Sequence, residues 1–204
     1  MNRSSRPRLG ILLSGRGSNF EAIASNVLGG SLNCEIGFVF SNKPNAPGLA
    51  LARELGFACG SIESAGRDRA EFDSQVVDLL KSHNVDLVCL AGYMRLLSGK
   101  FVSQFPHRVL NIHPSLLPAF AGLDAQYQAL AYGAKVTGCT VHFVDENLDS
   151  GPILLQAPVP VLASDTVETL SARILVEEHR IYSEAIAWVA RGNYRIDGRR
   201  VIET

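Results

Sequence analysis

An asparagine and a histidine two residues apart, Asn111 and His113, alternate with Leu110 and Ile112 in an apolar run that Pro114 closes. In an extended strand, residues two apart share a face. The amide and the imidazole would then lie together while the aliphatic pair fills the other side. Proline has no N–H to give to a ladder, so both polar side chains stand at a strand end. The carboxyl end of a parallel strand is where open α/β sheets bind ligands. An amide donor beside an imidazole suits acyl transfer, with Asn111 stabilising a developing oxyanion and His113 moving protons. A third member is expected from Asp145-Glu146-Asn147-Leu148-Asp149-Ser150-Gly151-Pro152, which lies between two apolar runs. Asp149 facing His113 would favour the protonated ring and hold it, with any ordered water, in place. Carboxylates in such a loop are otherwise ordinary turn formers.

A second candidate is Ser14-Gly15-Arg16-Gly17-Ser18-Asn19, between a short apolar run and a helical pattern. Glycines let backbone approach a ligand, and N–H groups at a helix N-terminus favour an anion. The spacing matches neither G-x-x-x-x-G-K-[ST] nor G-x-G-x-x-G, so a mononucleotide-like phosphate is a better guest than ATP or NAD. The plainer alternative is a turn in which Ser18 simply caps the helix.

The elements that must position these residues follow one rhythm in the first half: apolar run, Gly/Pro/Asn turn, helical periodicity. Strands are expected at Leu9 to Ser14, Glu35 to Ser41, Ala58 to Ile62 and Asp86 to Ala91. Helices are expected at Ser18 to Leu28, Pro47 to Leu55 and Arg69 to His83, the last placing Phe72, Val76, Val77, Leu79 and Leu80 on a helical face. Asp86 to Ala91 is too apolar for an edge and belongs mid-sheet. Past Phe105-Pro106 the rhythm changes to strands at Val109 to Ile112, Val136 to Val144 and Ile153 to Val159, with only short helices between. A long helix opens at a capping box, Asp165-Thr166-Val167-Glu168, and runs to Ala190 before Gly192. Asp197-Gly198 marks a terminal hairpin over Tyr194 to Val201. The fold class is therefore α/β and Rossmann-like, a single domain with a mostly parallel central sheet and flanking helices. A βαβ half, 1–105, and a second half, 106–204, would share that sheet.

Composition narrows the function classes. The 204 residues suit one domain, and 19 Lys and Arg against 20 Asp and Glu leave a net charge of -1, which argues against a nucleic-acid partner. Cys34, Cys59, Cys89 and Cys139 show neither C-x-x-C nor zinc spacing, so reduced, mostly buried thiols and no metal are expected. Met1 to Arg8 is polar and basic, and the apolar run Leu9 to Leu13 is too short for a signal peptide or a membrane span. A cytoplasmic protein is expected.

Asn111-Ile-His-Pro-Ser-Leu-Leu-Pro118 and Val141-His-Phe-Val-Asp-Glu-Asn-Leu-Asp-Ser-Gly-Pro152 together resemble the folate-dependent formyltransferase family. Ser14 to Asn19, Phe40-Ser-Asn-Lys-Pro44 and Ala91-Gly-Tyr-Met-Arg-Leu-Leu97 are similar to the branch acting on glycinamide ribonucleotide, and the likeness runs from Leu9 to about Gly192. The resemblance implies that 10-formyltetrahydrofolate gives its formyl group to the amine of glycinamide ribonucleotide, a purine-pathway step. Asn111, His113 and Asp149 would be catalytic. Gly17, Ser18 and Asn19 would hold the ribonucleotide phosphate, and Glu178 would meet the same substrate, although a solvated helix face is its plainer reading. Arg69, Met94, Arg95, Leu96 and Leu97 would contact folate, with Asn111, Asp145, Glu146 and Asn147; the resemblance also implies a phosphate-binding half over 1–105 and a folate-binding half over 106–204. Met94, Leu96 and Leu97 read equally well as core, whereas Arg95 is hard to bury without a partner such as a folate carboxylate. Both partners are small molecules, with the chain a monomer or homodimer.

The chain departs from the family pattern at Ala121, where many relatives have proline, at Asp124 and Gln126, where some have histidine, and at Leu175, where some have a polar residue. Other readings are a formyltetrahydrofolate hydrolase, a methionyl-tRNA formyltransferase and a non-catalytic binding module. The first two would be expected to carry further domains, and the third to have lost Asn111, His113 or Asp149.

Overall fold

A computed structural model describes residues 6–204, so the basic lead expected over Met1 to Arg8 lies outside the described residues from Met1 to Ser5. The chain divides into two compact units, Met1–Leu110 and Asn111–Thr204.

The first unit carries β1 (Arg8–Leu13), α1 (Ser18–Leu28), β2 (Glu35–Ser41), α2 (Pro47–Glu54), β3 (Cys59–Ser61), α3 (Arg69–Ser82), β4 (Leu87–Leu90) and α4 (Gly99–Gln104). Its strands lie in the order β3-β2-β1-β4, and every pairing among them is parallel. β4 is internal as expected, since Val88 N–H also donates to Arg108 O on its other side at 2.8 Å. Leu9, Ile11, Leu12, Leu13, Val39, Phe40, Val88 and Cys89 are all completely buried. Such unbroken apolar runs are what a parallel sheet needs when helices cover both faces. Phe20 and Ile23 of α1, Leu49 of α2 and Phe72, Val76 and Leu80 of α3 supply that cover, each side chain contributing about 2 kcal/mol by burial. Leu79 is a correction, because it sits half-buried beside the helical face rather than on it. The position that joins that face is Asp73, 1% exposed, whose carboxylate accepts from Ser98 N–H at 2.7 Å.

The division falls inside β5 (Val109–His113). The second unit continues with α5 (Ala125–Tyr132), β6 (Val136–Phe143), β7 (Ile153–Pro160), α6 (Val167–Arg191), β8 (Tyr194–Asp197) and β9 (Arg200–Glu203). Here β6 and β7 are antiparallel, β7 meets β9 in parallel at Ile153 and Arg200, and β8 and β9 close the expected hairpin through Gly198 at φ 60°. α6 buries Leu170, Ile174, Ile181, Tyr182, Ala185, Ile186 and Val189, a stripe at helical spacing. Its capping box is displaced one residue from the expected one. Thr166 is the cap, its hydroxyl accepting from Thr169 N–H, while Thr169 Oγ1 accepts from Thr166 N–H. Asp165 instead accepts from Leu162 N–H and pairs with Arg173, an alternative that two adjacent cap-forming residues leave open. The helix ends at Gly192 as expected, at φ 74°.

Candidate functional site

β5 sets the geometry of the catalytic candidates. Leu110 is fully buried and Ile112 is 8% exposed, while Asn111 and His113 alternate with them; the strand runs one residue past its expected end to include His113. Pro114 follows directly. The 145–152 loop then brings Asp149 to the imidazole, with Oδ2 3.4 Å from His113 Nδ1 and both side chains under a tenth exposed. Asp149 is held there at φ 47°, in the left-handed region that aspartate tolerates better than most residues. Gly122 N–H donates to Oδ2 at 2.9 Å. His113 Nε2 lies 2.9 Å from Phe120 O, and a carbonyl only accepts, so Nε2 carries a hydrogen. Both ring nitrogens thus face acceptors, Nε2 the Phe120 carbonyl and Nδ1 the Asp149 carboxylate.

A fourth residue joins this group. His142, on β6 and 2% exposed, places Nε2 3.2 Å from Asn111 Nδ2 and 3.8 Å from Asp149 Oδ1. Its Nδ1 sits 2.8 Å from Phe143 O. Burial lowers the His142 pKa, a tendency that the Phe143 carbonyl and then the Asp149 charge oppose. The sequence reading gave His142 no role, though its position in Val141-His-Phe-Val between apolar residues was a usable signal: a histidine inside a buried strand needs partners. The neighbouring backbone is fixed by Thr140, whose hydroxyl donates to Ser115 O at 2.6 Å and accepts from Leu117 N–H at 3.0 Å. Gly151 ends the loop against β6, where an added Cβ would stand 1.8 Å from Phe143 O. Asp145 Oδ1 accepts from Asn147 N–H at 2.8 Å, making a local turn, and Glu146 and Asn147 are exposed.

In the first unit the glycine loop opens α1 without a side-chain cap, which removes the plainer alternative of Ser18 as N-cap. The cap is Gly17, at φ 79°. A Cβ there would come within 3.3 Å of Gly48 Cα, and one on Gly48 within 2.7 Å of Leu13, so two glycines let the loop pack closely while leaving backbone to face an anion. Ser18 is half-buried and Asn19 buried.

Ser14, ahead of this loop, donates to Asn42 Oδ1 at 2.6 Å and accepts from Met94 N–H at 2.8 Å. That bond ties the 94–97 stretch to β1. Met94 is 67% exposed and Leu96 50%, so neither is core, whereas Leu97 is buried. Arg95 has its partner in the fold, the guanidinium lying 4.6 Å over the Phe72 ring and reaching Ser64 O at 3.5 Å. Arg69 is exposed at the start of α3. Glu178 is only 8% exposed, so it does not lie on a solvated helix face. Among the described residues no His/Cys/Asp/Glu group could hold a metal ion, and no helix is long and apolar enough to cross a membrane. All four cysteines are free, three of them buried as expected and Cys59 half-buried.

An amide, an imidazole and a carboxylate brought together in an α/β fold are the groups that acyl-type group transfer can use. The formyl transferase family profile matches residues 8–186, and the chain belongs to that family. It is 42% identical to the phosphoribosylglycinamide formyltransferase of Escherichia coli over 94% of each chain. It is also 44% identical to the human trifunctional purine biosynthetic protein adenosine-3; 94% of the chain is matched, but it spans only 19% of that protein's length. A crystal structure of glycinamide ribonucleotide transformylase 1 from Symbiobacterium toebii superposes at a TM-score of 0.96 with 50% identity, covering 98% of this chain and 95% of that one.

Proposed function

We propose that the chain transfers the formyl group of 10-formyltetrahydrofolate to the amino group of glycinamide ribonucleotide, giving N-formylglycinamide ribonucleotide and tetrahydrofolate in de novo purine biosynthesis. The carrying observation is the buried His113–Asp149 pair at 3.4 Å with Asn111 on the same strand. The names borne by the bacterial relative and the solved structure support the choice of substrates.

The amine nitrogen attacks the formyl carbon, and the carbonyl oxygen becomes an oxyanion. Asn111 donates an amide N–H to that oxygen and protonated His113 donates a second hydrogen, a stabilisation worth about 3 kcal/mol per donor in a preorganised site. The tetrahedral carbon then expels the folate nitrogen, and the proton lost by the attacking amine ends on that leaving nitrogen. Asp149 orients the His113 ring while the proton moves. Gly17, Ser18 and Asn19 bind the ribonucleotide phosphate, and Glu178 binds the same substrate. Arg69, Met94, Arg95, Leu96, Leu97, Asn111, Asp145, Glu146 and Asn147 contact folate, the exposed Met94 and Leu96 offering apolar surface to its ring system.

The whole chain works as a single formyltransferase domain, a cytoplasmic monomer or homodimer whose partners are these two small molecules, with no metal, nucleic acid or membrane involved. The deciding experiment assays purified protein with 10-formyltetrahydrofolate, with and without glycinamide ribonucleotide. Tetrahydrofolate released only with the amine present supports transfer. Release without it would overturn the proposal in favour of hydrolysis, and no release in either case would favour a binding module.

A further inference from the structure

The second-unit cluster contains one buried titratable group to which the formyl-transfer steps give no part. His142 Nδ1 faces Phe143 O at 2.8 Å, and since a carbonyl has only lone pairs, Nδ1 bears the hydrogen of that contact. Burial in β6 disfavours the charged ring, lowering its pKa. A neutral ring with Nδ1–H leaves a lone pair on Nε2, which requires a donor. The group at 3.2 Å is the Asn111 amide. An amide can present either NH2 or carbonyl oxygen to a neighbour, and only NH2 satisfies an unprotonated Nε2. The Asp149 carboxylate stands off at 3.8 Å, outside hydrogen-bond range, as suits an Nε2 that carries no proton. The titratable groups facing His142 are Asp149 and Asp145 from the loop and His113 from β5.

We propose that His142 is a positioning residue whose neutral Nδ1–H tautomer holds the Asn111 amide with its NH2 end at the catalytic cluster, so that a developing oxyanion meets an N–H rather than a lone pair. This rests on the formyl-transfer reading above. Of the two Asn111 amide hydrogens, one bonds His142 and the other is the oxyanion donor. Protonation of His142 removes the lone pair and turns the amide, and catalysis then fails although His113 and Asp149 are intact.

The test compares wild type, His142→Gln and His142→Leu. Glutamine offers a carbonyl oxygen in place of Nε2 and does not titrate; leucine offers no acceptor. Expected are a kcat for His142→Gln within about tenfold of wild type and a loss of about a hundredfold for His142→Leu, with KM for both substrates little changed. On the acid side, the wild-type fall in kcat should lose one titration in His142→Gln. Equal kcat in leucine variant and wild type, or equally poor glutamine and leucine variants, would overturn the proposal. Because leucine could disturb folding, 15N NMR of the ligand-free wild type gives an independent reading: Nδ1 protonated and Nε2 bare is expected at neutral pH, and the opposite tautomer or an imidazolium overturns it. That spectrum needs no turnover, so a wild type that forms no formylated product would sink the functional reading and still leave the tautomer to decide this one.

Discussion

The two units build their candidate sites from different materials. The first offers backbone: a glycine loop at the start of α1 with no side-chain cap and Gly17 at φ 79°. The second offers side chains, with His113, His142 and Asp149 each under a tenth exposed and engaged by one another, by the Asn111 amide or by backbone carbonyl and N–H groups. A backbone site tolerates changes in any side chain that leaves the turn intact. A side-chain site in a low-dielectric interior fails when one member is lost, because the partner left behind is unpaired. The difference predicts where single substitutions hurt.

The largest effect is expected at the side-chain site. His113→Ala and Asp149→Asn should each lower kcat by about a thousandfold with modest changes in KM, as when contacts made only in the transition state are lost. Steady-state kinetics that found kcat unchanged in either variant would remove that residue from the mechanism. Next comes Gly151→Ala, which adds a carbon where Phe143 O stands 1.8 Å away. The loop bearing Asp149 must shift, so kcat should fall about tenfold or more and stability by about 1–3 kcal/mol, both readable from kinetics and urea titration. Wild-type values for both would mean that the loop is softer than its packing implies.

A smaller and different change is expected at the backbone site. Gly17→Ala places a Cβ at positive φ beside Gly48 Cα, costing about 1 kcal/mol. It should raise KM for glycinamide ribonucleotide severalfold while kcat holds. Glycinamide riboside, lacking the phosphate, should bind the wild type far more weakly in calorimetry and discriminate little between wild type and variant. Equal affinities for riboside and ribotide would contradict the loop's assignment.

The same contrast governs what the sequence made legible. Periodicity located the first-unit strands and the helices α1 to α3 to within a residue or two, because parallel strands buried on both faces read as unbroken apolar runs; the six-residue α4 (Gly99–Gln104) was missed, being too short to show a helical period. The pairing of Asn111 with His113 followed from strand alternation, and Asp149 was legible as a loop carboxylate. His142 was not, because a histidine in an apolar strand looks like core until its partners on other segments are known. The α6 cap was misplaced by one residue because Asp165 and Thr166 are both competent caps, and the Arg173 pairing that engages Asp165 lies two turns into the helix. Arg95 was read as hard to bury without a partner such as a folate carboxylate, and the fold supplies partners of its own in the Phe72 face and Ser64 O. Such contacts join residues 23 and 31 positions apart, and no local pattern encodes them.

The smallest effect sharpens the comparison through pH. His142 has its pKa lowered by burial, so in the folded chain it stays neutral over a range in which the unfolded chain has already taken up a proton. The unfolded state then binds more protons, and stability falls as pH drops below about 6.5, until the folded-state value is reached and the loss levels off. Above that range the contribution is fully present. Replacing His142 by glutamine removes the group from both states, so that part of the acid-side slope should vanish. Urea midpoints for wild type and variant, measured on either side of about pH 6.5, supply the check. Hydrogen exchange adds a regional reading: the amides of β6 should lose protection in mild acid before those of β1 and β2, whose buried strand cores are aliphatic and aromatic without a histidine. Identical slopes in the two proteins would mean that His142 titrates alike folded and unfolded, and the contrast between the units would then rest on geometry alone.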